Sequence, residues 1–267
     1  MPRIAVNNTN LYYELHGPED RDVIVLSNGI MMSTVSWYFQ TKVLAQHFRV
    51  LLYDCRGMWQ SDHPDGPYSM ELHADDLAGL LDALAIEKAH IAGISYGSEI
   101  SLMFSLKYPQ KTQSLIVISG VSEVPLLLKL QSYPWMIAGE KNDAELLFHT
   151  SIFLNFGEEY LVRNEALLSR SLENFAGLNL SSFVKLMDAF RSYDITDQLG
   201  QISCPTLIIV GEEDPIKGPK MAKIMVDRIP QAEYVVVPGA GHALCLDKPE
   251  PLNTLLLGFA MKHSIQA

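Results

Sequence analysis

The chain has 267 residues, 48% hydrophobic and 19% charged, a balance that supports a sizeable buried core and excludes a disordered polymer. A formal charge of −11 without any Lys/Arg run argues against nucleic acid and anionic membranes as partners. Cys55, Cys204 and Cys245 are odd in number and lack metal-type spacing, so neither a disulfide framework nor a metal site is expected.

Two opening strands are predicted at 3–6 and 11–16 around the turn "NNTN". The first residues carry no apolar signal core, and no stretch approaches the roughly 20 apolar residues of a membrane span. A cytoplasmic protein that does not insert into membranes is the expectation. "VIVLS" (23–27) reads as a buried strand, 34–46 as a helix and "VLLYD" (50–54) as the next strand. An amphipathic helix follows at 70–85, with Leu72, Leu77, Leu80, Leu81 and Leu84 at three- and four-residue intervals. Asp75 and Asp76 on it read as a solvated face. Then come strand 90–94, a helix from 96 stopped before Pro109, and strand 114–119.

From 121 to 196 the sequence is helical in character, with no convincing strand. Alternation resumes with strand 206–211, helix 218–228, strand 233–238 and a closing helix at 249–262. The expected class is α/β: a mostly parallel sheet flanked by helices, formed by residues 1–120 and 197–267, with 121–196 inserted as a helical cap.

Ligands bind such sheets at the carboxyl ends of the strands. Ser95 follows strand 90–94, Asp214 follows 206–211 and His242 follows 233–238. A serine hydroxyl needs an adjacent base, histidine can serve, and a carboxylate can hold the imidazole in the right tautomer. "GISYG" brackets Ser95 with Gly93 and Gly97, which also suits a small residue packed at a strand–helix corner. Glu212 and Glu213 compete with Asp214 but read as solvated. Cys55 lacks a comparable turn and reads as core, while Asp54 and Arg56 read as stabilising their own turn. Ser98, next to Gly97, reads as packed within the helix that follows, with a bond from its hydroxyl to a neighbouring strand as the alternative.

The order Ser, Asp, His, together with "SNGI", "YDCRG", "GISYG" and "GEEDP…GAGH" in phase with the strands, resembles the α/β-hydrolase fold superfamily over nearly the whole chain. The resemblance implies Ser95 as nucleophile, Asp214 and His242 as acid and base, and the backbone N–H groups of Ile30 and Tyr96 as oxyanion hole. It implies no organic cofactor and no metal. Two departures from the family pattern stand out: Asn28 where many relatives carry histidine, and Trp59 where "RGMWQS" replaces the usual second glycine.

The expected activity is hydrolysis of a carboxylic ester, a small-molecule substrate with a medium or hydrophobic acyl group, by a monomer or homodimer. Met31, Trp59 and Trp135 are candidate substrate contacts. Locally, "RVLLYDCRG" resembles 3-oxoadipate enol-lactonases and "NGIMMSTVSW" resembles synthases that join 3-hydroxyacyl chains, so lactone opening and acyl transfer to an alcohol are alternatives. An enol-lactone carries a carboxylate, for which a cation from Lys129, Lys141, Arg163, Arg170, Lys185 or Arg191 would be expected. A small-molecule receptor on a hydrolase fold is the alternative from another class.

Overall fold

A computed structural model describes residues 2–170 and 172–264. Eight strands form one sheet in the order β1-β2-β4-β3-β5-β6-β7-β8. β1 (Arg3–Val6) and β2 (Thr9–His16) make an antiparallel edge, with β2 pairing antiparallel to β4 (Arg49–Tyr53). From β4 onward every pair is parallel: β3 (Val23–Ser27), β5 (Ala89–Ile94), β6 (Thr112–Ile118), β7 (Thr206–Gly211) and β8 (Glu233–Val237). β3, β5, β6 and β7 are buried at every residue, as expected of strands covered on both faces.

Two apolar cores lie on opposite faces. One packs α1 (Tyr38–Leu44) and, at the chain's end, α12 (Leu244–Asp247) and α13 (Pro249–Lys262) against the sheet. The other packs α2 (Met70–Ala83), α3 (Tyr96–Lys107) and, after β7, α11 (Pro219–Arg228). Most predicted boundaries agree within two residues. The helix expected over 34–46 is split, its first turn being a 3₁₀ turn over Thr34–Trp37. α2 stops at Ala83 because Ala85 takes φ 53°, with Ala85 N–H bonding Asp82 O and Ile86 N–H bonding Leu81 O. That is a left-handed helix stop without its usual glycine.

Asp76 corrects one expectation. It is fully buried and bidentate to Arg56, whose Nε and Nη2 lie 2.5 and 2.7 Å from its two oxygens. Asp75, about 100° further round the helix, is half-buried and contacts Lys107 and the Tyr108 hydroxyl.

Between β6 and β7 the described residues form helices: α4 (Leu126–Gln131), α5 (Tyr133–Glu140), α6 (Ala144–Ser151), α7 (Glu158–Arg163), α8 (Glu165–Arg170), α9 (Leu172–Phe175) and α10 (Leu180–Arg191). The segment leaves and returns at one point. Val124 N–H bonds Tyr193 O at 3.2 Å and Ile195 N–H bonds Ser122 O at 2.8 Å, around an antiparallel bridge of Glu123 with Asp194. Among the described residues no helix is long and apolar enough to cross a membrane.

Candidate active site

β5 ends at Ile94 and α3 begins at Tyr96, so Ser95 alone makes the turn between them. It sits at φ 53°, ψ −118°, a strained conformation for a residue with a side chain. The surroundings hold it there. Ser95 N–H donates to Ile118 O at 2.9 Å, and Ser98 Oγ lies 2.6 Å from Gly93 O and 2.8 Å from Ile118 O while accepting Ile118 N–H at 3.0 Å. Ser98 thus ties α3 to β6. A methyl on Gly93 would stand 2.1 Å from Gly97 O, and one on Gly97 would stand 2.1 Å from Ser27 O. Both glycines are required by close backbone approach.

The sheet order brings the ends of β5, β7 and β8 to one side. His242 Nε2 lies 2.8 Å from Ser95 Oγ, and His242 Nδ1 lies 2.8 Å from Asp214 Oδ2. A carboxylate at Nδ1 requires the proton there, which leaves Nε2 to accept from the serine. Asp214 Oδ1 accepts the Ile216 and Lys217 N–H groups at 2.8 and 2.9 Å. Burial alone would raise the Asp214 pKa; the imidazole beside it and these two amides overturn that and hold it below the ordinary value. Glu212 and Glu213 are exposed and cap other loops, accepting from Gly239 N and Glu158 N.

Ser95 and His242 open into a cavity of about 810 Å³, within the range of small-molecule sites. Ile30, Met31, Trp59, Tyr96 and Trp135 all line it. Ile30 belongs to a loop that closes on the serine: a methyl on Gly29 would stand 3.4 Å from Ser95 Cβ. Trp59 occupies its departure from the glycine pattern at φ 39°, and its Nε1 donates to Met31 O at 3.1 Å, so it braces the neighbouring wall. Phe156, Phe175, Met187 and Phe190 from the segment between β6 and β7 complete a largely apolar enclosure. Among the described residues no group of three His, Cys, Asp or Glu is placed to hold a metal ion.

The profile described as alpha/beta hydrolase fold matches residues 22–249. The chain belongs to the α/β-hydrolase fold family. It is 31% identical to RutD of Stutzerimonas stutzeri (strain A1501), which bears the name carbamate hydrolase, over 92% of this chain and 95% of that protein. It is 27% identical to 3-oxoadipate enol-lactonase 1 of Acinetobacter baylyi, over 93% and 92% of the two chains. The crystal structure of MGS-M2, an α/β-hydrolase enzyme from a Medee basin deep-sea metagenome library, superposes with TM-score 0.92 at 29% identity, over 97% and 96% of the two chains.

The roles of Asn28, Asp247 and the Glu99–Lys217 pair escaped the sequence reading. Asn28 is a scaffold hub: its Nδ2 donates to Tyr53 O and Asp54 Oδ1, both at 3.0 Å, and its Oδ1 accepts Trp37 Nε1 at 2.9 Å. Burial pushes the Asp54 carboxyl up to about 6 against the N–H donors of Gln60, Thr34 and Asn28. Asp247 Oδ2 accepts both Gly241 N–H (2.6 Å) and Gly157 N–H (2.9 Å), joining the histidine loop to the inter-strand helices. Lys217 pairs with Glu99 at 2.6 Å, and both are buried. Glu99 carried a usable signal, a lone acid in the apolar face of "SEISLMFSL". Cys55 is buried, and desolvation pushes its thiol well above the ordinary range, which suits packing and not chemistry.

Proposed function

We propose that the protein hydrolyses carboxylic esters through an acyl-enzyme on Ser95, with His242 carrying the proton and Asp214 orienting it. The observation that supports this most strongly is the unbroken relay Ser95–His242–Asp214, with both contacts at 2.8 Å, opening into the cavity. Ser95 Oγ attacks the ester carbonyl carbon as its proton passes to His242 Nε2. The tetrahedral intermediate collapses, and the same proton leaves with the alcohol. Water then gives a proton to Nε2, its oxygen attacks the acyl carbon, and Ser95 recovers its proton as the acid departs. The N–H groups of Ile30 and Tyr96 hold the oxyanion in this reading, Tyr96 aided by its place at the start of α3.

Residues 121–196 act as a cap over this centre. Trp135, Phe156, Phe175, Met187 and Phe190 from that segment make the acyl pocket large and apolar. Acyl chains of intermediate length should therefore outperform acetyl. A p-nitrophenyl ester panel tests this, and a profile peaking at acetate would refute the pocket assignment. Ser95→Ala should abolish both turnover and labelling by a fluorophosphonate; unchanged hydrolysis would refute the nucleophile, and an unlabelled wild type would favour a receptor.

The names of the relatives support carbamates and lactones as further members of the panel. Both present a carbonyl to the same serine, and an alcohol replacing water in the second half-reaction would give acyl transfer. Of the cap cations in the described side chains, Lys129, Lys141, Arg163, Lys185 and Arg191 are absent from the cavity lining; the Arg170 side chain lies outside the described residues.

A further inference from the structure

Among the described residues, Lys217 is the one Lys, Arg, Asp or Glu lining the cavity. Its side chain is 3% exposed and that of Glu99 is wholly buried. Lys217 Nζ lies 2.6 Å from Glu99 Oε2 and 4.5 Å from the centre of the Phe190 ring, itself a cavity wall. The other Glu99 oxygen is taken by Val121 N–H at 2.9 Å. An ammonium has three N–H donors, and among the described residues one hydrogen-bond acceptor serves it. The Phe190 face supplies a second, weaker partner.

A merely structural role explains this poorly. A desolvated ion pair is often no better for stability than apolar side chains of the same volume, and an incompletely partnered one is worse. Burial drives the Lys217 pKa down and the Glu99 pKa up, each opposed by the other partner, so the pair is held at a cost. What the arrangement supplies is a fixed donor beside a largely apolar chamber that Lys217 helps to line.

Building on the Ser95 ester-hydrolase reading, we propose that Lys217 is a specificity-determining residue that donates a hydrogen bond to an uncharged oxygen, a ketone or hydroxyl, carried by the substrate away from the scissile ester. The ligand should be uncharged because Glu99 already neutralises the ammonium. Asp214 lies close enough to act on Lys217 as well. A substrate carboxylate would face two carboxylates across a low-dielectric wall, which raises the cost of binding it.

The test uses p-nitrophenyl esters of equal chain length: a plain alkanoate, analogues with a keto or hydroxyl oxygen at successive carbons, and an analogue ending in carboxylate. The wild-type enzyme should favour one oxygen-bearing ester over the plain one by about 10- to 100-fold in kcat/KM, mainly through KM, as expected of one hydrogen bond to a charged donor. Lys217→Met should bring that ratio close to one. Glu99→Gln combined with Lys217→Met should do the same without leaving a buried carboxylate unpaired. A wild-type ratio near one, a ratio unchanged in the double variant, or a Lys217-dependent preference for the carboxylate ester would each overturn the proposal. Fluorophosphonate labelling of Ser95, run on every variant, separates the two readings. Labelled protein with an unchanged ratio refutes the Lys217 role alone, whereas an unlabelled wild type refutes the serine reading beneath it.

Discussion

Asp214→Asn isolates the tautomer on which the proposed relay depends. Asp214 Oδ1 faces two backbone donors, Ile216 N–H and Lys217 N–H, at 2.8 and 2.9 Å, while Oδ2 faces His242 Nδ1. An asparagine has one oxygen and one NH₂ to place there. Turning the NH₂ toward the two amides would set donors against donors, so the oxygen takes the Oδ1 position and the NH₂ points at His242. The imidazole must then offer a lone pair at Nδ1 and carry its proton on Nε2, aimed at Ser95 Oγ. That tautomer cannot take the serine's proton. The fold keeps its loop contacts, so thermal unfolding should move little, while kcat should fall by about 10⁴, near 5 kcal/mol of transition-state stabilisation. Steady-state hydrolysis of an activated ester and the fluorophosphonate labelling rate both report it. A folded Asp214→Asn protein retaining more than about a tenth of the wild-type kcat would refute the assignment.

Three further outcomes follow from particular contacts. Gly97→Ala puts a methyl 2.1 Å from Ser27 O, a backbone atom that cannot swing aside, so the turn must move and esterase kcat should drop at least 10²-fold; activity within threefold of wild type would show that the turn tolerates a side chain. His73, buried against the Tyr96 hydroxyl at 2.8 Å, has its pKa lowered by burial to about 3, so the unfolded chain binds the extra proton below about 6.5. Its contribution to stability is full above that pH and is lost as pH falls toward 3, so His73→Gln should remove roughly 1.4 kcal/mol per pH unit from the slope of urea-unfolding free energy in that window; parallel slopes would contradict a neutral buried imidazole. Trp59→Gly relieves the φ 39° strain but frees the wall at Met31, so KM for an intermediate-chain ester should rise several-fold with kcat nearly unchanged. An unaltered KM would remove Trp59 from the pocket wall.

What could be read from the letters was whatever one strand and its next few residues specify. Ser95 was legible because strand, single turn residue and helix succeed one another, and because two glycines sit where backbones touch. For Ser98 the letters left two readings, packing in its helix and a bond to a neighbouring strand, and the structure shows the bond. Asp214 was set apart from Glu212 and Glu213 because those two read as solvated, and in the structure they stay exposed while Asp214 is buried against His242 and the Ile216 and Lys217 N–H groups. Asp76 was misread because its neighbour Asp75 is half-exposed; the helix turns about 100° between them, and Arg56 reaches the second from a separate loop. The Glu99–Lys217 pair joins residues 118 apart, and no spacing rule connects them. It exists because β6 lies between β5 and β7, which sets the start of α3 beside the loop after β7. The same strand order, with β8 beside β7, brings Ser95, His242 and Asp214 together, so the hydrogen-bonded relay and the lysine share one topological origin. A change that loosens that strand order should therefore degrade turnover and substrate discrimination together, while a change confined to Lys217 should separate them.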